Sequence, residues 1–319
     1  MKNCKHMKPK DFKFFTGLTQ EQFEIVYELC GGEEVCSTLK YRYSRKSPKK
    51  AIVSNFTPRD RLFMTLIRLR RGIPLRDLSF VCGMSLGFAS ECVYTWIRLM
   101  SLTAQKLEAA MCLSAADQTE NKPKCFKPFP NLKMIIDSTE FKVETPSNFE
   151  QQANLFSFYK KTTTAKVLIG ISCYGGISFI SEAFEGSISD KQIVLKSGLM
   201  DLLSPNDAIM ADRGFDMEAE FAAAEVDLIM PPFLAGRDCF TARELLLAKT
   251  ISSGRIHVER AIRRIREFRI VGRIIPSTLM PIFGDMMRTF ALLINFQNPY
   301  IQGDKDEDYD DNFDMNSSF

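Results

Sequence analysis

The run KMIID, residues 133–137, marks the point where this chain changes its period. Upstream, apolar residues recur at helical spacing; from here they come in short runs bounded by glycine, proline and charge, as in strands. AKVLIGISCYG (165–175) and ISFISEAF (177–184) read as two further strands joined by a turn at Gly175-Gly176. DAIMAD (207–212) and DLIMPPF (227–233) read as a fourth and a fifth, the last ended by Pro231-Pro232. Helices are expected over 191–203 and 217–224, then a long one capped by Thr241, and a last amphipathic one over 281–296. Three strands followed by interleaved helices and strands predict an α+β (mixed α/β) fold: a central mixed five-stranded sheet flanked by helices.

Two of these strands end in aspartate, Asp137 in KMIID and Asp212 in IMAD. An ionised carboxylate directly after buried β residues is costly unless it is paired or metal-bound, and the mouth of a sheet is where sites are built. Each aspartate could equally start a turn, Asp212 being followed by Arg213-Gly214. A third acid lies in RIHVERAIRRIREFR (255–269), where Glu259 stands among six arginines. Ile251, Val258, Ile262, Ile265 and Phe268 give that helix a buried side, with Glu259 at its edge. Two readings are open: ion pairs with Arg255 and Arg263, worth about 0.3 kcal/mol each, or metal ligation with Asp137 and Asp212. The second suits phosphoryl transfer, because Mg²⁺ prefers carboxylate and water oxygens and keeps positions open for phosphate.

Lys160, Lys161 and Lys166, with Arg213, Arg255, Arg260 and Arg263, are candidates for holding DNA phosphates. Asp190, just before KQIVLKSGL, is expected to cap that helix, with a secondary place in the site as the other reading. Glu140 and Glu144 are set aside, Glu140 because alternation turns it away from Asp137. His257 sits well round the helix from Glu259, so a structural role is expected ahead of phosphate contact or acid–base chemistry.

In the N-terminal part, a helix is expected from Thr19, and Thr57-Pro58 opens another whose stripe is Leu62, Phe63, Leu66, Ile67 and Leu69. LRDLSFVCGMSLGFASECVYTWIRLM (75–100) has the marks of a helix-turn-helix: small Ser79, Gly83 for a left-handed turn, Ser85 as a cap. Its second helix is poor in Lys and Arg before Arg98, so a purely structural helical unit stands beside a DNA-reading one. Residues 115–131, with Pro123, Pro128 and Pro130, read as a linker. KYRYSRKSPKK (40–50) carries six basic residues, either a solvated loop or a phosphate contact and nuclear import signal.

Over 319 residues the chain is 45% hydrophobic and 25% charged, ordinary for a globular protein of two or three domains. No apolar run approaches the roughly 18 residues of a spanning helix, and MKNCKHMKPKDFK lacks an apolar signal region, so no membrane is expected and an intracellular place is. Nine cysteines and two histidines show neither Cys-x-x-Cys nor zinc spacing, and Cys4 and His6 have no downstream pair; reduced thiols are expected. Seven acids and one lysine from Asp304 to Asp314 mask a basic body, since the net charge is only +3. That tail is expected to be disordered.

The spans DSTEFKVETPS, YKKTTTAKVLIGIS, GGISFISEAFEGSISD, IMADRGF, LIMPPF and RIHVERAIRRIREFRI resemble, in order and over 132–296, the DDE-superfamily endonuclease domain of Harbinger-like transposases. TPRDRLFMTLIRLRRGIPLRDLSFVCGMS resembles the helix-turn-helix that accompanies it, and FTGLTQEQFEIVYELC is similar to the family upstream. The resemblance implies an RNase H-like fold and a catalytic, metal-binding triad of Asp137, Asp212 and Glu259. It implies a divalent cation, Mg²⁺ or Mn²⁺ and two of them. It further implies DNA as substrate, a separate Myb-like DNA-binding partner, a homo-oligomer on DNA, and a nuclear location with the cytoplasm second. The zinc-binding THAP module of some relatives has no counterpart in these residues, and LGFASECVY departs from the usual serine-rich start of the second helix. The expected division is 1–56 (helix and basic loop), 57–114 (a small all-α helix-turn-helix domain), 115–131 (linker), 132–296 (nuclease) and 297–319 (acidic tail). The expected activity is DNA cleavage and joining. A domesticated DNA-binding or assembly protein on the same fold is the alternative, and a small-molecule phosphohydrolase leaves the Arg-rich helix unexplained.

Overall fold

The computed structural model describes residues 7–41, 56–120, 122–234, 236–299 and 301. Cys4, His6, most of the basic run 40–50 and the acidic run 304–314 lie outside the described residues. Six helices come first: α1 (Pro9–Thr16), α2 (Gln20–Leu29), α3 (Gly32–Cys36), α4 (Pro58–Arg71), α5 (Leu75–Cys82) and α6 (Leu86–Met111). Then follow β1 (Leu132–Lys142), α7 (Phe149–Leu155), β2 (Phe156–Ser157), β3 (Thr162–Ile171), β4 (Ile177–Ile180) and β5 (Phe184–Glu185). The chain continues through α8 (Asp190–Lys196), β6 (Ala208–Met210), α9 (Glu218–Ala223), β7 (Asp227–Ile229), α10 (Ala242–Arg266) and α11 (Phe283–Asn295).

The sheet is mixed. β3 pairs antiparallel with β1, β2, β4 and β5, whereas β6 joins β1 and β7 joins β6 in parallel. This is the RNase H-like arrangement expected, with the five anticipated strands as its frame and the two-residue β2 and β5 added to it. Alternation along β1 divides the packing. Ile135 and Phe141 face the large core beneath α10, α11 and the N-terminal helices, while Met134 and Ile136 face a smaller core with Ile193 and Val194 of α8 and Phe221 of α9.

Local chemistry sets the helix starts where the sequence puts them. Thr19 with Gln22, Thr57 with Asp60 and Thr241 with Glu244 each form a reciprocal capping box. Gly83 takes φ 65° to end α5, the Ser85 hydroxyl accepts from the Phe88 N–H at 3.2 Å, and α5 and α6 bend by 109°. Among the described residues, no single helix is long and apolar enough to cross a membrane.

The helical part and the sheet contribute to one buried cluster. Trp96 of α6 and Phe290 of α11 belong to the same buried cluster as Ile135, the Ser101 hydroxyl donates to Asp285 at 2.7 Å, and the Thr289 hydroxyl donates to the Ile97 carbonyl at 3.1 Å. The 26-residue α6 is long enough for its buried face to reach α11. The 115–131 stretch, read as a linker, is hydrogen-bonded to the sheet. Gln118 donates to the Lys133 carbonyl at 2.8 Å and accepts from the Cys173 N–H at 2.7 Å, and the buried Lys122 ammonium donates to the carbonyls of Phe129 and Pro130.

The approach of α10 to the sheet depends on Gly254, where an added Cβ would lie 2.8 Å from Phe126 Cε1 and 3.1 Å from Met210 Sδ. Gly254→Leu should therefore destabilise the fold by about 1–3 kcal/mol and lower the thermal midpoint by several degrees. An unchanged melting curve followed by circular dichroism would show that α10 does not pack this closely.

Candidate active site

Asp137 lies within β1, not at its end. The strand runs on to Lys142 because β3 keeps pairing with it, from Asp137↔Ile169 to Lys142↔Thr164, while the parallel ladder with β6 stops at Ile135↔Met210. Asp137 and Asp212 each stand two residues past that last pair, so alternation gives both the same face as Ile135 and Met210. That is the face covered by α10, whose buried residues Ile251, Val258, Ala261, Ile262 and Ile265 hold it there, with Glu259 at its exposed edge.

Charge on the cluster is unevenly compensated. Arg255, one helical turn before Glu259, donates to Asp212 Oδ2 at 3.0 Å with its side chain only 14% exposed. Expected as a phosphate contact, it is instead turned inward, and its buried Nε has no hydrogen-bond partner. The Asp137 carboxyl is pushed up to about 6, above all by burial and further by the charges of Glu259 and Asp212; Arg255 and the Ser138 N–H, 2.8 Å from Oδ1, act the other way. Among the described residues, no three His, Cys, Asp or Glu side chains stand together as a ready metal cage. The donor set nevertheless suits a hard divalent cation: the three acids offer only carboxylate oxygens, and the half-buried Asp137 sits where added positive charge would favour its ionised form.

The remaining candidates fall into three groups. Asp190 does not cap α8, because Ser189 does so by accepting from the Gln192 N–H. Asp190 Oδ1 accepts from the Ser138 hydroxyl at 2.6 Å and from Lys166 Nζ at 2.9 Å, on the face of β1 opposite Asp137. Lys166, buried there and also donating to the Ile188 carbonyl, is a partner of Asp190 and not a surface for phosphate. His257 is 4% exposed, packs on Phe126 at 5.7 Å between ring centres, and lies 3.7 Å from Cys125 Sγ. Arg260 Nη1 is 3.4 Å from its Nδ1. Arg213 is exposed and donates to the Pro232 carbonyl; Arg263 is exposed on α10. Lys160 and Lys161 lie in the β2–β3 turn, well away from the acids. Glu140 accepts from the Thr164 hydroxyl at 2.7 Å.

Three contributions were not foreseen: Ser138 as the link to Asp190, Thr139 as the acceptor of Arg266 at 2.7 Å, and the inward turn of Arg255. Thr139 shares its face with Asp137 by alternation, which was a readable signal. Nothing in spacing shows which acid an arginine will choose.

A carboxyl raised in the folded state adds stability that is complete below its unfolded value and lost as pH rises through about 6. In chelator, Asp137→Asn should therefore be more stable than the parent by roughly 2–3 kcal/mol near pH 8, a gap that closes as pH falls to about 4. Denaturant melts at both pH values measure it, and an equal gap at both would refute this origin of the shift.

Two family models match the chain. One, described as DDE superfamily endonuclease, matches residues 136–295, half of the chain; the other, described as helix-turn-helix of DDE superfamily endonuclease, matches residues 55–105. No curated protein and no solved structure matches it.

Proposed function

Since the chain belongs to the DDE superfamily endonucleases, we propose that it is a metal-dependent DNA endonuclease and transposase of the Harbinger-like kind, with Asp137, Asp212 and Glu259 as its catalytic triad. The observation that carries this reading is the common face of the three acids. Two carboxylates flank the open end of the β1–β6 ladder, and the helix above them brings a third whose charge acts on Asp137.

On this reading Asp137, Asp212 and Glu259 hold Mg²⁺ or Mn²⁺, two ions in all. When bound, the cations activate the attacking oxygen and stabilise the leaving one. The oxygen of a water or of a DNA 3′-hydroxyl forms the new bond to phosphorus as the bond to the leaving oxygen breaks, and its proton passes to solvent. Arg255 donates to Asp212, so serving as a DNA contact requires it to leave that carboxylate. Arg213 and Arg263, both exposed, and the half-buried Arg260 are placed on the same elements as the acids and would bind flanking phosphates. DNA is the partner; a homo-oligomer on DNA, a separate Myb-like protein and a nuclear location complete the proposal.

Plasmid nicking tests it. With Mg²⁺ or Mn²⁺ the full chain should convert supercoiled DNA to the nicked form. Chelator should abolish this, and Asp137→Asn, Asp212→Asn and Glu259→Gln should each lower the rate by at least about 100-fold. Equal activity in all four proteins would sink the triad. DNA binding without nicking by the parent would favour the domesticated alternative.

A further inference from the structure

The turn between β2 and β3 takes no part in the site described above, yet it is built to stay in one shape. Phe156↔Thr163 and Ser157↔Thr162 close it, the Lys160 N–H donates to the Ser157 hydroxyl at 3.1 Å, and Lys161 adopts φ 50°. At its tip Phe158 and Tyr159 are each 82% exposed, although large aromatic side chains are normally covered. Phe158 meets Phe156 edge-on at 5.5 Å, and Lys160 Nζ lies 4.6 Å from the centre of the Tyr159 ring. The tip therefore presents two exposed aromatic rings, with the Lys160 ammonium over one of them and Lys161 next in the turn.

Positive charge extends from the tip towards α10. Val143 donates to the Thr163 carbonyl at 3.0 Å and pairs with Ile275, which brings exposed Lys142 and Arg273 to the same edge of the sheet. Acids lie near it as well: Glu140 accepts from Thr164, Glu144 accepts from the Ser277 N–H at 2.9 Å, and exposed Glu185 stands opposite Ala165 of β3.

We propose that the Phe158–Lys161 turn is a second DNA contact, in which Phe158 and Tyr159 wedge into the groove of a duplex whose phosphates Lys160 and Lys161 hold. Aromatic side chains set among lysines fit a polyanion carrying apolar base surfaces, and apolar wedges entering a groove are a known way of gripping DNA. Asp137 opposes Ile169, seven residues along β3 from Thr162 at the base of the turn. At about 3.3 Å per residue that is roughly 23 Å, the rise of about seven base pairs. That separation is shorter than a duplex of one helical turn. The inference rests on DNA being the substrate but not on which residues cut it.

The test uses the full chain in chelator with a mixed-sequence duplex of about 30 base pairs, measured by fluorescence anisotropy over a range of salt. Phe158→Ala/Tyr159→Ala should bind about tenfold more weakly with an unchanged salt slope, whereas Lys160→Ala/Lys161→Ala should reduce the slope by about two. Tyr159→Ala alone keeps the Phe156–Phe158 contact and should show part of the loss, and melting curves should match the parent for every variant. With 5-iododeoxyuridine in the duplex, photocross-links should map to Phe158 or Tyr159.

Parental affinity in the aromatic double variant with no cross-link at the tip overturns the proposal, as does absence of duplex binding by the parent. Unchanged DNA affinity with altered sedimentation would assign the tip to a protein contact and overturn it too. If the aromatic losses and the cross-links appear but the parent does not nick plasmid, the contact stands and the nuclease reading falls. Nicking with no effect at the tip gives the reverse.

Discussion

The parallel ladder between β1 and β6 ends at Ile135↔Met210, while β3 continues to pair with β1 for the rest of its length. That unequal cover opens the sheet on one side of a single strand. The two ladders overlap at Ile135; from Asp137 onward the β6 neighbour is missing and a charged group can be kept. Asp212 follows the same rule on β6, and the shared alternation turns both acids to one face. The site is thus a consequence of where a hydrogen-bonded ladder stops.

What completes the site is the way α10 is held over that opening. Gly254 lets the helix lie close to Met210 and Phe126, and His257 packs against the same phenyl ring. This fixes the azimuth of the helix, so Arg255 points inward to Asp212 while Glu259 remains at the edge. Arg255 sets a positive charge against Asp212, while burial and the charges of Glu259 and Asp212 raise the Asp137 carboxyl.

The helix-turn-helix is mounted rigidly on the catalytic half. Backbone N–H groups of Arg269 and Ile270 donate to the carbonyls of Arg70 and Leu69 at the end of α4, and Arg70 pairs with Glu267 at 2.8 Å. α6 carries the link on through Ile97 and Ser101 to α11. DNA held by the helical part would accordingly be presented to the acids through these contacts.

Much of this molecule was legible in one dimension. The helix starts at Thr19, Thr57 and Thr241 and the left-handed turn at Gly83 rest on contacts within a few residues, and the five main strands show as apolar runs bounded by turn residues. The three acids could be named as candidates because each closes or edges an apolar pattern. The helix α1, the short α7 and β2, and the full length of β1 were not legible, since cover by β3 and by the shared core decides them. Nor were the partners of Arg255, Asp190 and Lys166, which lie on elements distant in sequence. An arginine beside several acids chooses by geometry and burial, and those exist only once the sheet has closed under α10. The sequence by itself determined which residues could build a phosphoryl-transfer site; the tertiary structure decided which of them face one another, because side-chain direction across a sheet depends on which strands pair and where their pairing ends.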